Sequence, residues 1–397
     1  MILIDSSGIQ QNMDVIMGFI NYSIFPAISF KGTDNHKSEF HIVTARITYD
    51  IKIMTSDGKS ILTVAPEQDP LNYSDVHFDD DIKKSIRYES DLSPYKPKTD
   101  VIINATAFSP GNRATAAFDV GVQLGKYIKP LRIHGPRCWI HDSFGWELSP
   151  AEPVKSLDIR YEYATGGTLN IHDKIFASPA NPSGMGWYPK EYLKQCGEIT
   201  LPGPQIESSE SPVKHISQVI RPEGFGFFGR SWRDRIKYAG TYDDNWLEKQ
   251  HPFPPVDFKF NYWCGAHPSL QIPHIEVGNK LPVKLFGLIP SSEIAVQKIL
   301  FYIPTETLFI FIVSELGISV TKDMQLDTIV IDMTIRKVFC TYRITVPESV
   351  KAAEIQLRYI SEDNMKSLSK TPGKPCPDKT EFIPVPPSLV KKGIYYG

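Results

Sequence analysis

The residues that could carry chemistry are scattered along this chain rather than gathered. One literal G-x-G-x-x-G occurs, Gly224-Phe-Gly226-Phe-Phe-Gly229. A pyrophosphate cradle of that spelling needs a strand before it and a helix N-terminus after it. Here Pro222 and Glu223 precede it and Arg230-Ser-Trp-Arg-Asp-Arg235 follows, with no parallel βαβ texture nearby. The glycines therefore read as a turn packed with aromatics. Cys264-Gly-Ala-His267 is one pair at zinc-ligand spacing, but a structural zinc site needs two such pairs. The consecutive Asp79, Asp80 and Asp81 point to different faces, unlike the alternating ligands of a calcium loop, and read as a turn or cap. His41, His77, His134, His141 and His172 have no partner at meaningful spacing, and no G-x-x-x-x-G-K-[ST], H-E-x-x-H or G-x-S-x-G occurs. No nucleophile, base and orienter can be named together. The expectation is a protein that is not an enzyme, with no catalytic residues, metal or cofactor.

The stretch from Pro222 to Pro268 holds a different kind of chemistry. It contains Trp232, Tyr238, Tyr242, Trp246 and Trp263 together with Arg230, Arg233 and Arg235. Trp, Tyr and Arg are the residue types enriched in protein–protein hot spots. Two readings compete: the aromatics fill a core for a segment that lacks strands, or they face a partner. On the second reading, Arg230, Trp232, Arg233, Tyr242, Trp246 and Trp263 are the partner-binding residues.

Composition limits the elements that position these side chains. In 397 residues there are 32 prolines and 26 glycines; proline exceeds its usual ~5% while glycine is near its usual ~7%. Each interior proline costs a helix about 3 kcal/mol, which argues against a bundle. The pattern predicts a mainly β fold of antiparallel, sandwich-like sheets joined by a long irregular segment with a few short helices. The N-terminal β region spans residues 1–164. In it, Phe40 to Ile53 is one long β-prone run and Ser56-Asp-Gly58 a hairpin signal. Ser109-Pro-Gly-Asn112 has type II turn chemistry. Leu157, Ile159, Tyr161 and Tyr163 alternate as a further strand would.

Residues 165–290 form the irregular segment, expected to pack on the sheets. Half of the 32 prolines fall between Pro150 and Pro290. Short helices are expected at Pro189–Cys196, and from an Asp243 or Asp244 cap to about Gln250. Strands return in residues 291–397. Ile329, Ile331, Met333 and Ile335 share one face of a strand, as do Val338, Cys340, Tyr342, Ile344 and Val346 of the next. This period of two predicts half-buried antiparallel strands. After Ser361 the chain turns polar, then proline-rich from Pro372 to Pro387.

A net charge of −2, with no basic run, gives no footprint for nucleic acid. The five cysteines, Cys138, Cys196, Cys264, Cys340 and Cys376, are odd in number and unpaired in spacing, which suits reduced thiols in the cytoplasm. Met1-Ile-Leu-Ile-Asp lacks the basic and apolar regions of a secretory signal. The most apolar stretch, Ile299–Val313, is shorter than a membrane span and is interrupted at Pro304-Thr-Glu-Thr307. It reads as two strands around a turn, and no membrane partner is expected.

Several phrases, in order, resemble one family. They are Val76-His-Phe-Asp-Asp-Asp81 through Ser90-Asp-Leu-Ser-Pro-Tyr95 to Val101, then Leu131-Arg-Ile-His-Gly-Pro-Arg-Cys-Trp139 and Tyr163-Ala-Thr-Gly-Gly167. Asn181-Pro-Ser-Gly-Met-Gly186, Pro222-Glu-Gly-Phe-Gly226, Gly240-Thr-Tyr-Asp-Asp-Asn-Trp246, and Pro255-Val-Asp-Phe258 leading to Ala266-His-Pro268 follow. Together they resemble the domain-of-unknown-function family encoded beside PAAR-like effectors in bacterial type VI secretion clusters. The resemblance covers roughly residues 40 to 350. It implies a cytoplasmic adaptor or chaperone that holds a PAAR-like effector and aids its loading onto the VgrG spike, a second implied partner. Thr165 stands where the family usually has an aromatic, Glu89 where it usually has proline, and Trp263-Cys-Gly-Ala-His267 departs from its usual Asn-Ala-Ala. No catalytic residues come with the resemblance. The competing readings are a carbohydrate-active β-sandwich enzyme, which needs two carboxylates facing across a cleft, and a structural component of a secreted particle.

Overall fold

The computed structural model describes residues 18–143, 145–196, 199–304, 307–314, 319–350 and 352–360. The polar and proline-rich tail expected after Ser361 lies outside the described residues. The β-prone run beginning at Phe40 forms a single strand, Glu39–Ile53. The Ser56-Asp-Gly58 turn folds it back onto Ser60–Val64. Gly58 has a φ of +85°, and a Cβ there would lie 1.7 Å from the carbonyl oxygen of Lys298, so glycine is required.

Glu39–Ile53 belongs to a seven-stranded sheet that takes strands from both ends of the chain. Its order is Ala27–Thr33, Glu39–Ile53, Lys337–Pro347, Gln325–Asp332, Thr99–Asn104, Gln271–Ile272, with Ser60–Val64 pairing off the second strand. All neighbours are antiparallel except Gln325–Asp332 and Thr99–Asn104, which run parallel. A five-stranded sheet orders Ile206–Glu207, Tyr127–His134, Ala117–Leu124, Lys280–Phe286 and Lys298–Pro304. A four-stranded sheet orders Phe19–Asn21, Ala352–Ile360, Thr307–Ser314 and Ser319–Asp323. Side chains from all three sheets, such as Ile47, Val122 and Ile310, share one apolar core. The fold is mainly β, as the sequence predicts.

Three expectations change in detail. The apolar stretch Ile299–Val313 does supply two strands, but they go to different sheets instead of pairing with each other. Among the described residues no helix is long and apolar enough to cross a membrane. The alternation from Leu157 to Tyr163 is a strand only over Ser156–Asp158; the chain then turns through a 3-10 segment at Tyr161–Tyr163. The strands Gln325–Asp332 and Lys337–Pro347 are not half-buried. Their polar positions Asp327, Thr341 and Arg343 are buried as well, because residues 68–94 lie across that face. Gln68 donates to the Thr48 carbonyl, Arg46 to that of Pro70, Arg343 to that of Asp91 and Thr345 to that of Pro94.

The central segment straps the sheets. Its helices are short: Lys190–Leu193 after Pro189, Arg233–Ile236 after Trp232, and Asp244–Lys249. The Asp243 carboxylate caps the last by accepting the Trp246 backbone N–H at 2.8 Å. The glycine-rich phrase is a core strap, since Phe225, Phe227 and Phe228 are all buried. A Cβ on Gly224 would lie 2.6 Å from the Tyr161 ring. These glycines exist for close packing against an aromatic.

Candidate partner-binding site

The six residues assigned to a partner separate into two groups. Trp232 is 4% exposed. Its ring packs edge-on against Tyr161 at 5.1 Å and tilted against Phe228 at 5.6 Å. It is a core residue, and its expected role in partner contact is corrected accordingly: a side chain enclosed on every side cannot touch a partner. Arg233 is exposed beside Asp234 on its short helix and is not part of any groove wall. Tyr242, Trp246 and Trp263 do converge. They line an open groove of about 380 Å³ with Phe30, Ile42, Leu92, Pro94 and the run Pro252-Phe253-Pro254.

Each groove wall is fixed by the fold. Trp246 sits in the first turn of its capped helix. Its indole N–H donates to the Phe253 carbonyl at 2.9 Å, and its ring lies 5.3 Å from His251. Tyr242 stacks edge-on to Trp246 at 4.7 Å and stays 56% exposed. The whole aromatic wall is tied to the turn that follows the strand Ala27–Thr33. Gln250 donates to the Asn35 carbonyl at 3.0 Å, Asn35 donates to that of Val256 at 2.7 Å, and Lys37 to that of Lys249 at 2.9 Å. Trp263 is held by the Arg230 guanidinium, 5.7 Å from its ring centroid. Arg230 is itself committed to Asp75 at 3.0 Å and Glu89 at 3.4 Å. It positions the wall rather than facing the groove. The Trp263 indole N–H has no hydrogen-bond acceptor among the described residues.

The third wall, Leu92 and Pro94, is the tip of the segment that crosses the polar face of the large sheet. A buried ionic network holds it. Arg235 donates to Glu89 at 2.6 Å and to the Phe228 carbonyl at 2.9 Å. Lys96 lies 2.8 Å from Asp100 and 3.8 Å from Glu89. Asp100 accepts the backbone N–H groups of Gly265 at 2.8 Å and Ala266 at 3.2 Å. Arg46 pairs with Asp91, and Arg343 with Asp327. Burial by itself would push the Glu89 carboxyl up, but the charges of Arg235, Arg230 and Lys96 outweigh it and bring it down to about 2. Glu89 is the hub of this network.

The remaining chemical candidates resolve into structure. Asp79 sits in a left-handed turn and pairs with Lys84 and Arg160, each at 2.9 Å. Burial pushes the Cys264 thiol up, away from reactivity. His267 lies 3.6 Å from Glu223, which pairs with Lys129. Among the described residues no group of three or more His, Cys, Asp or Glu is placed to hold a metal ion.

Sequence reasoning located Tyr242, Trp246 and Trp263 but missed the opposite walls. Phe30 lies about two hundred residues away on an edge strand, and only topology brings it near. Pro252-Phe-Pro254 carried a usable signal, because it sits in the same proline-dense zone as the tryptophans. A family model described as an uncharacterized protein conserved in bacteria (DUF2169) matches residues 36–343 of the chain. No curated protein and no solved structure matches it.

Proposed function

We propose that this chain, which belongs to the DUF2169 family of proteins conserved in bacteria, is a non-enzymatic adaptor that docks a partner protein in the aromatic groove. The observation that carries the proposal is the groove itself: a preformed slot of about 380 Å³ with five exposed or half-exposed aromatics and three prolines in its lining. Pockets that bind ligands typically run from ~300 to 1,000 Å³ and are mostly apolar with few polar groups. Walls stiffened by proline and by tertiary hydrogen bonds lose little entropy on binding, so affinity does not depend on added contacts.

The ordered phrases described above give the partner its identity within this proposal. The adaptor is cytoplasmic, binds and stabilises a PAAR-like effector, and hands it to the VgrG spike, which competes for the same surface. A carbohydrate-active site would call for paired carboxylates, and the residues lining the groove include neither Asp nor Glu. That favours docking over hydrolysis.

Purification of the tagged chain from its native host, with identification of bound proteins by mass, tests the proposal. A PAAR-like protein should co-purify with the wild-type chain and be depleted from Tyr242→Glu, a change at an exposed position that should leave the melting temperature unchanged. Equal recovery with both chains would reject the groove as the docking site.

A further inference from the structure

The groove has one wall of a different kind. Phe30, Lys31, Gly32 and Thr33 are consecutive, and all four line it. Side chains alternate across a strand, so one face could contribute only every second residue. The groove therefore reaches the backbone edge of Ala27–Thr33 as well as the sheet face on which Phe30 and Ile42 lie opposite each other. That strand is the first in the order of the seven-stranded sheet and pairs only with Glu39–Ile53 among the described residues.

The register decides which backbone groups that edge presents. Ala27 lies opposite Ala45 and Thr33 opposite Glu39. The Arg46 N–H donates to the Pro26 carbonyl at 3.0 Å, and the Asp34 N–H to that of Ser38 at 3.0 Å. Even-numbered residues are thus the hydrogen-bonded pairs, facing inward, and antiparallel pairing alternates strictly. The N–H and C=O groups of Ala27, Ser29, Lys31 and Thr33 face outward. Those of Lys31 and Thr33 open on the groove, opposite the aromatic wall of Tyr242, Trp246 and Phe253. An unpaired edge of this kind is a template for another strand. Natural edges are commonly blunted by charge, and Lys31 is the single charged side chain in this one.

We infer that the groove captures its partner by β-augmentation: an extended segment of the partner protein pairs with the Lys31 and Thr33 backbone while its alternate apolar side chains pack on Tyr242, Trp246 and Trp263. This inference rests on the groove being the docking site and adds how it is read. Four strand residues span about 13 Å, so a segment of four to five residues fills the slot. Main-chain pairing supplies affinity, and the aromatic pockets supply the preference for apolar side chains at every second position. A second copy of this chain is a poor occupant, because a strand already in a sheet brings its neighbours.

The test uses the full-length chain and a displayed random heptapeptide library. Peptides selected on the wild-type chain should carry apolar residues at alternate positions. Lys31→Pro removes one outward N–H, at an edge position where proline is tolerated, and should weaken the selected peptides at least tenfold. Lys31→Ala, which keeps the N–H, should leave affinity within twofold. N-methylation of the peptide should weaken binding at every second residue only. Equal binding to Lys31→Pro, or tolerance of N-methylation throughout, would overturn the inference, as would failure to select any peptide over the Tyr242→Glu background. Competition by a synthetic peptide of residues 378–390 stronger than by any selected peptide would also overturn it, making the chain's own tail the occupant. Should the peptides behave as expected while no PAAR-like protein co-purifies with the wild-type chain, the adaptor reading fails and the strand-capture edge stands.

Discussion

Two regions of this molecule treat their hydrogen-bonding groups in opposite ways. Beneath the large sheet, Arg46, Glu89, Asp91, Lys96, Asp100, Arg235 and Arg343 are buried and paired with one another or with backbone. At the edge of the same sheet, Tyr242, Trp246 and Trp263 form an open wall beside a backbone edge that pairs with no further strand among the described residues. Buried charge is retained only when its partners are complete, so the first region is closed structure. An open apolar wall beside an unpaired backbone edge is the part of the structure that we propose a partner completes. The two are connected, since the segment fixed by Glu89 and Asp91 carries Leu92 and Pro94 into the groove.

Acid separates the regions most strongly. Glu207 and Glu223 share the behaviour of Glu89. Burial pushes each up, but His134, the Val213 N–H and Arg137 bring Glu207 down to about 2, and His267 and Lys129 do the same for Glu223. A carboxyl whose folded pKa lies below its unfolded value stabilises the fold above the unfolded pKa, and that stability is lost as pH falls toward the folded pKa. Thermal stability should therefore hold down to about pH 4.5 and fall steadily toward pH 2, by calorimetry. A melting temperature unchanged across that window would contradict the network's role.

Single substitutions divide the regions further. Trp232→Ala should cost about 3–5 kcal/mol in urea unfolding, the range for deleting a buried tryptophan. Glu89→Gln leaves Arg235 and Arg230 facing a neutral group and should cost about 3 kcal/mol, the lower end for breaking a buried pair. Trp232→Ala should leave affinity for the partner unchanged at temperatures where the variant remains folded, whereas Glu89→Gln should also lower it, because Glu89 fixes the segment that carries Leu92 and Pro94 into the groove. Tyr242→Ala should do the reverse of Trp232→Ala, with a stability loss under about 1 kcal/mol and a partner affinity lowered roughly tenfold or more, as for a central aromatic hot spot. Arg233→Ala should move stability by no more than about 0.5 kcal/mol, and affinity negligibly, because Arg233 stands outside the groove. A large binding effect there would enlarge the site toward the Arg233–Ile236 helix.

Much of the fold is legible in the sequence because alternation and turn chemistry are local. Phe40 to Ile53, the Ser56-Asp-Gly58 turn and the Asp243 cap follow from residue type and spacing. What could not be read there depends on residues distant in sequence. Thr341 and Arg343 look solvent-facing by period, yet residues 68–94 cover them, and Asp91 accepts hydrogen bonds from both. Trp232 and Trp246 are equivalent in composition and neighbourhood; only the approach of Tyr161 and Phe228 makes one core and leaves the other in the groove. Phe30 gave no signal at all, because its importance comes from being on the edge strand of a sheet assembled from both ends of the chain.

The most direct test is calorimetric titration of the co-purified PAAR-like protein into the wild-type chain and into Tyr242→Glu, with melting temperatures measured in parallel. The account predicts at least a hundredfold loss of affinity at an unchanged melting temperature. Equal affinities for the two chains would contradict it.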